Sequence, residues 1–181
     1  MGSVLGSFAR AAMGLVALMC LAGCGGLYAG MANLEDATAA VQPIATGSYT
    51  NRSGEAAQIS LDENGTYHVT GTTDDEMPVR IYGPVSGLYV AQIEGLKENE
   101  KGLFGYAILK ISAQSIDLAG DATMELGGML FDRLGIPRPD GAHGVSMLPD
   151  NAHLNWALLQ EFIVTYRNQL VFEPLYTRSA S

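Results

Sequence analysis

"LYVAQI", residues 88–93, decides what kind of sheet this chain builds. A strand on the half-exposed face of an antiparallel sheet alternates apolar and polar side chains, because successive residues point to opposite sides. Here Leu88 and Val90 take one face, and Tyr89, Ala91 and Ile93 take the other. Both faces are apolar. "FGYAILKI", residues 104–111, repeats the pattern, with Phe104, Tyr106 and Ile108 on one side and Ala107, Leu109 and Ile111 on the other. Both strands therefore need cover on two faces. Helices can supply one cover; the other is expected from curling of the sheet, the first choice, from the linker, or from something outside this chain.

The surrounding segments read as partners of these two. Gly47 to Thr50, Gln58 to Asp62, Tyr67 to Val69, Pro78 to Tyr82 and Ser115 to Ala119 are short β-patterned runs. Asn64-Gly65 predicts a two-residue hairpin turn, and "GLKENEKG", residues 95–102, a charged loop. After the strands, Thr123 to Leu134 carries Leu126, Met129, Leu130 and Leu134 at helical spacing, and a loop with Pro137, Pro139 and Pro149 follows. Asp150 is the expected N-cap of a second helix, Ala152 to about Val171. Its apolar stripe is Leu158, Leu159, Phe162, Ile163, Tyr166 and Leu170, with Gln160, Glu161, Arg167 and Asn168 opposite. Pro174 ends it, and Leu175 to Thr177 adds an edge strand. The expected fold is α+β: an antiparallel meander sheet of about seven strands, curled or half-barrel, followed by two helices and a short C-terminal edge strand. Its interior is expected to be filled by side chains rather than to enclose a roomy pocket.

Composition narrows the partners. With 181 residues, 48% hydrophobic and 16% charged, the chain can bury a core. Nineteen acidic residues against ten basic ones give a net charge of −9. That balance repels phosphate backbones, so no nucleic-acid partner is expected.

The first residues carry an address. A short polar start ends at Arg10, Ala11 to Leu21 is apolar, and the small residues Ala22 and Gly23 precede Cys24. That order is the plan of a secretory signal. Leu21-Ala22-Gly23-Cys24 resembles the lipobox of bacterial lipoprotein precursors, a resemblance confined to the first two dozen residues. It implies a diacylglycerol on the Cys24 sulfur and cleavage before Cys24, so that residues 1–23 are a signal peptide. Gly25 is not Asp, which by the same resemblance favours the outer membrane, facing the periplasm, where two membranes exist. Cleavage would take Arg10 and Cys20 away, leaving a charge of −10 and Cys24 as the sole cysteine. A lone thiol in an exported protein is best explained if lipid caps it. An uncleaved membrane helix over residues 11–32 is the competing reading, disfavoured by Gly23, Gly25, Gly26 and Gly30. Residues 24–46, rich in Gly and Ala, read as a lipidated Cys and flexible linker before a domain at 47–181. A short helix over Ala32 to Val41 would shorten it.

Chemistry-bearing patterns are few. Pro139-Asp140-Gly141-Ala142-His143 and Pro149-Asp150-Asn151-Ala152-His153 place two histidines and two carboxylates within a short span, the weak candidates for a divalent metal. Each Asp also fits a turn or a helix cap, the preferred reading, so neither a metal nor any other cofactor is expected. Ser48 or Ser146 would need a His and an acid brought close, and neither sits in a nucleophile elbow. "TTDDEMP", with Asp74, Asp75 and Glu76, lacks the ligand spacing of a calcium loop and reads as a solvated turn. His68 alternates outward between Tyr67 and Val69 as a solvated strand residue. Trp156 and Tyr166 read as core rather than as a binding surface.

The leading expectation is a membrane-anchored cell-envelope lipoprotein with a noncatalytic binding or structural module. It would touch the membrane through its lipid and meet an envelope protein or wall component. An enzyme is the less favoured reading. The alternatives are a carrier of an apolar ligand in a curled β-sheet pocket, and a membrane-proximal hydrolase using His143 or His153.

Overall fold

The two faces of residues 88–93 are indeed both covered, and by different things. A computed structural model describes residues 26–30, 32–71, 76–94, 104–120, 128–129, 132–133, 135, 146–148 and 150–179. In chain order its elements are β1 (Gly26–Gly30), a 3-10 turn (Leu34–Asp36), β2 (Ala40–Val41), β3 (Gly47–Asn51), β4 (Ala56–Leu61), β5 (Tyr67–Thr70), β6 (Glu76–Val85), β7 (Leu88–Glu94), β8 (Phe104–Ile111), β9 (Ser115–Ala119), β10 (Ser146–Met147), α1 (Ala152–Tyr166) and β11 (Phe172–Arg178).

Eight strands close a barrel. From β3 to β9 each strand pairs antiparallel with its successor, β9 pairs with β11, and β11 pairs with β3. Closure removes the exposed sheet edges that invite aggregation. β9 lies along β8 only from Leu109 to Ile111, which leaves the other half of that edge to β1, opposite Phe104 to Ala107. β10 adds to β1 in parallel, and β2 pairs with β6.

Alternation then sorts the side chains. Ile59, Tyr67, Val79, Ile81, Ala91, Ile93, Ala107 and Leu109 point into the barrel and form its interior core. Tyr82, Leu88, Val90, Tyr106 and Ile108 point out, and α1 covers them with Leu158, Leu159, Phe162, Ile163 and Tyr166. The helix binds by the stripe that its sequence carries, and Trp156 packs half-buried, its ring 6.4 Å from that of Tyr82. The sheet is thus curled, as two apolar faces require, and the curl goes to completion.

Several expectations are corrected. Among the described residues one helix has both ends defined rather than two. The other, expected over Thr123 to Leu134, lies mostly outside the described residues, of which Gly128, Met129, Asp132 and Arg133 are helical. α1 is capped by Asn151 instead of Asp150: its extended backbone aims Oδ1 at the Leu154 N–H, 2.9 Å away. α1 also ends at Tyr166, since the chain must turn back to lay Phe172 beside Ala119. The last strand is longer than expected and is no edge; it is the stave that closes the barrel. Pro174 lies where the register shifts between it and Tyr176, a bulge of the kind in which proline is tolerated. The Asn64-Gly65 turn is a wider loop, because Asp62 accepts from the Asn64 and Thr66 amides at 2.9 and 2.8 Å and reshapes it.

The largest correction concerns residues 24–46. Cys24 and Gly25 lie outside the described residues. From Gly26 on, the stretch read as a flexible linker is part of the body. Gln92, buried on β7, accepts from the Leu34 N–H at 2.8 Å and donates to Asn33 Oδ1 at 2.9 Å. The Tyr106 hydroxyl donates to the Ala32 carbonyl. Farther on, the Ile44 N–H donates to the Tyr67 hydroxyl, which donates in turn to the Ile44 carbonyl, both at 3.0 Å. Tyr49 donates to the Ala45 carbonyl at 2.7 Å. Ile44 thereby joins the interior core as a stopper held by Tyr67, with Tyr49 fixing the residue after it. Small residues looked like slack, but they let this backbone lie close to the wall.

The buried phenols carry a pH signature. Burial pushes the hydroxyls of Tyr82 and Tyr106 up to about 12, and for Tyr82 the nearby Glu35 charge adds to it. An unfolded phenol ionises near 10. The fold therefore favours the protonated form, and this contribution is intact below pH 10 and lost as pH rises from 10 toward 12. The urea midpoint is expected to fall steeply across that window. Tyr82→Phe should flatten part of the fall while leaving the midpoint near pH 7 almost unchanged. The reason is that the Tyr82 hydroxyl, beside the Arg80 guanidinium, makes no close hydrogen bond among the described residues.

Candidate functional site

The barrel interior is the first place to look, because closed sheets often enclose ligands. Side chains fill it down to a cavity of about 40 Å³, lined by Ile44, Ile59, Val79, Ile81, Leu109 and Leu175 among others. Small-molecule sites occupy roughly 300–1,000 Å³. The lining surface is wholly apolar. A water placed there would find no partners, so the cavity stays dry. The roomy chamber that a carrier needs is absent among the described residues, and the filled core expected from the sequence is what stands in its place.

The most concentrated polar chemistry lies outside, on the β4–β5–β6 wall. His68 projects from β5 with Nε2 3.2 Å from Asp62 Oδ2 and Nδ1 2.6 Å from Glu76 Oε1. Hairpin register explains the meeting. His68 stands opposite Pro78, and Glu76 lies two residues along on the same face of β6. Beside them Arg80 donates from Nε to Thr66 Oγ1 at 3.1 Å and pairs with Glu35. The Asp62 carboxyl is held below its ordinary range, first by the Thr66 backbone N–H and then by His68.

What this cluster can do is limited by its own geometry. Ser60 faces His68 directly across the β4–β5 ladder. Both ring nitrogens already face carboxylates, however, and none is left to take a proton from a hydroxyl. The carboxylates approach His68 from opposite ring edges, and no group of three acidic, histidine or cysteine side chains among the described residues could hold a metal ion. The cluster braces the hairpin corner, with each exposed pair worth under about 1 kcal/mol. Sequence reading saw His68 as merely solvated. The missed signal was the pair of acids placed at the turn before it and the strand start after it.

The other candidates are scattered. Cys24, Asp140, His143, Asp74 and Asp75 lie outside the described residues. Asp150 and His153 are exposed at the start of α1. Ser48 is exposed and hydrogen-bonds Gln58 at 3.1 Å, while Ser146 is placed by its backbone alone, in β10. Tyr166 is core, its ring 5.3 Å from that of Phe162. Among the described residues no helix is long and apolar enough to cross a membrane. Set against known proteins, the chain matches no family model, no curated protein and no solved structure.

Proposed function

We propose that this chain is a lipid-anchored cell-envelope protein whose barrel is a noncatalytic binding or structural module. One observation carries the reading: Leu21-Ala22-Gly23-Cys24 closes an uncharged run that starts after Arg10. Small residues let a peptidase approach the backbone, and the thiol is the nucleophile best suited to lipid transfer. Each buried methylene contributes about 0.8 kcal/mol, so two or three acyl chains anchor firmly where one would not. The packed interior supports the second half of the reading. A barrel whose described interior leaves only about 40 Å³ free offers its outer surface to a partner, another envelope protein or a wall component.

The expected result is that Cys24→Ala moves the protein from the membrane to the soluble fraction, with the bound share falling more than about tenfold. Intact-mass analysis of the native protein should show loss of residues 1–23 and a lipid mass on Cys24. An unmodified thiol, or a leader still attached, would sink the proposal.

A further inference from the structure

The position of β1 says how such a protein would sit on its bilayer. We infer that the barrel is not suspended on a tether but lies against the lipid surface, with the β8–β9–β11 wall toward the headgroups. The inference rests on the lipid-anchor reading above and deepens it.

Covalent reach is the first step. β1 begins at Gly26, hydrogen-bonded in register opposite Ala107 of β8, and continues to Gly30 opposite Phe104. Its far side is taken by β10. One residue, Gly25, lies between Cys24 and Gly26, and two Cα–Cα steps of extended chain span at most about 7 Å. The next fixed points are the Ala32 carbonyl, held by Tyr106, and the Leu34 amide, held by Gln92. An acylated Cys24 therefore draws the barrel wall itself to the membrane.

The second step is which wall. β9 occupies the rest of the same β8 edge, from Leu109 to Ile111, so β1 starts in the fork where β8 parts company with β9. The outer faces of β6, β7 and the first half of β8 are already occupied by α1 and by residues 32–36. The exposed surface nearest Gly26 among the described residues is that of β11 and the end of β8 at Lys110, with the half-buried Ser115 and Asp117 of β9 between them. Lys110 and Arg178 are exposed there, but Asp117 stands across the ladder from Lys110 and Glu173 is exposed on β11, so this wall is balanced in charge and the orientation rests on the reach of the chain. The opposite wall, β4 and β5, lies across the barrel. For eight strands spaced about 4.8 Å apart and tilted near 40°, that is roughly 16 Å between backbones.

Single-cysteine labelling tests this in the full lipidated protein, whose own mature cysteine would be capped. A donor is placed at Lys110→Cys or at Ser60→Cys, both exposed, near the same end of the barrel and on opposite walls. The acceptor is a headgroup dye in phosphatidylcholine vesicles. Transfer is expected to be clearly stronger from position 110 than from position 60. Inserting ten Gly/Ser residues between Gly25 and Gly26 should bring the two together by restoring a tether. Vesicle-bound protein that transfers equally from both positions without the insertion, or more strongly from position 60, overturns the orientation and leaves the anchor standing. Protein that does not bind vesicles and carries a free Cys24 thiol overturns both.

Discussion

Phe162→Ala is expected to cost about 3–5 kcal/mol of unfolding free energy, read as a lower urea midpoint. Phe162 is 1% exposed, at the centre of the contact between α1 and the outer wall. Its ring packs against Tyr166, and Leu159 and Ile163 sit beside it on the same helix stripe. Truncation removes a large apolar surface and leaves a hole that a helix fixed by its cap and by the returning strand cannot close. The variant also reports on how the two cores are joined. If α1 and the barrel unfold as one unit, the midpoint drops with the slope unchanged. A helix that leaves first would show as a shallower slope or a second transition.

Ile81→Ala is expected to cost about 2–5 kcal/mol, and toward the upper part of that range. Ile81 is fully buried in the barrel interior and lines the existing cavity. In a helical core, neighbours shift to fill part of a new void. Here the lining side chains stand on strands bonded to both neighbours around a closed ring, so the wall can scarcely move inward. The new void should add to the old one. Comparing midpoints of Ile81→Ala and Ile81→Val, the latter costing about 0.5–1.5 kcal/mol, measures how rigid that wall is. Near-equal losses would show a barrel that collapses around missing atoms.

Much of this architecture could be read from residues 88–93 and 104–111, because two apolar faces demand two covers whatever the covers are. The helix stripe was legible for the same reason: periodicity reports burial directly. Closure was not legible. It depends on β11, whose exposed Glu173, Pro174, Thr177 and Arg178 and half-buried Leu175 and Tyr176 give little alternating signal, and on pairing far along the chain. Residues 32–46 were misread because their hold comes from partners elsewhere: Gln92, Tyr106, Tyr67 and Tyr49 each spend a polar atom on that backbone. No local pattern announces such a partnership. The same holds for His68, where the turn residue Asp62 and the strand start Glu76 become neighbours only once the hairpin has formed. The N-terminal address is different in kind. A lipobox of the kind proposed would be read by processing enzymes as linear sequence, so folding would neither add to it nor hide it.

The first and last staves of the barrel meet: Thr50 and Ser179 are 129 residues apart in sequence, yet their hydroxyls lie 3.3 Å from each other. A ring of this kind has no finished state short of its final stave. A nascent chain still lacking β11 would present β3 and β9 as two open edges, and so could not lock shut while its end was still in the ribosome. Late sealing follows from that 129-residue separation: the two edges stay open until the strand that joins them has arrived.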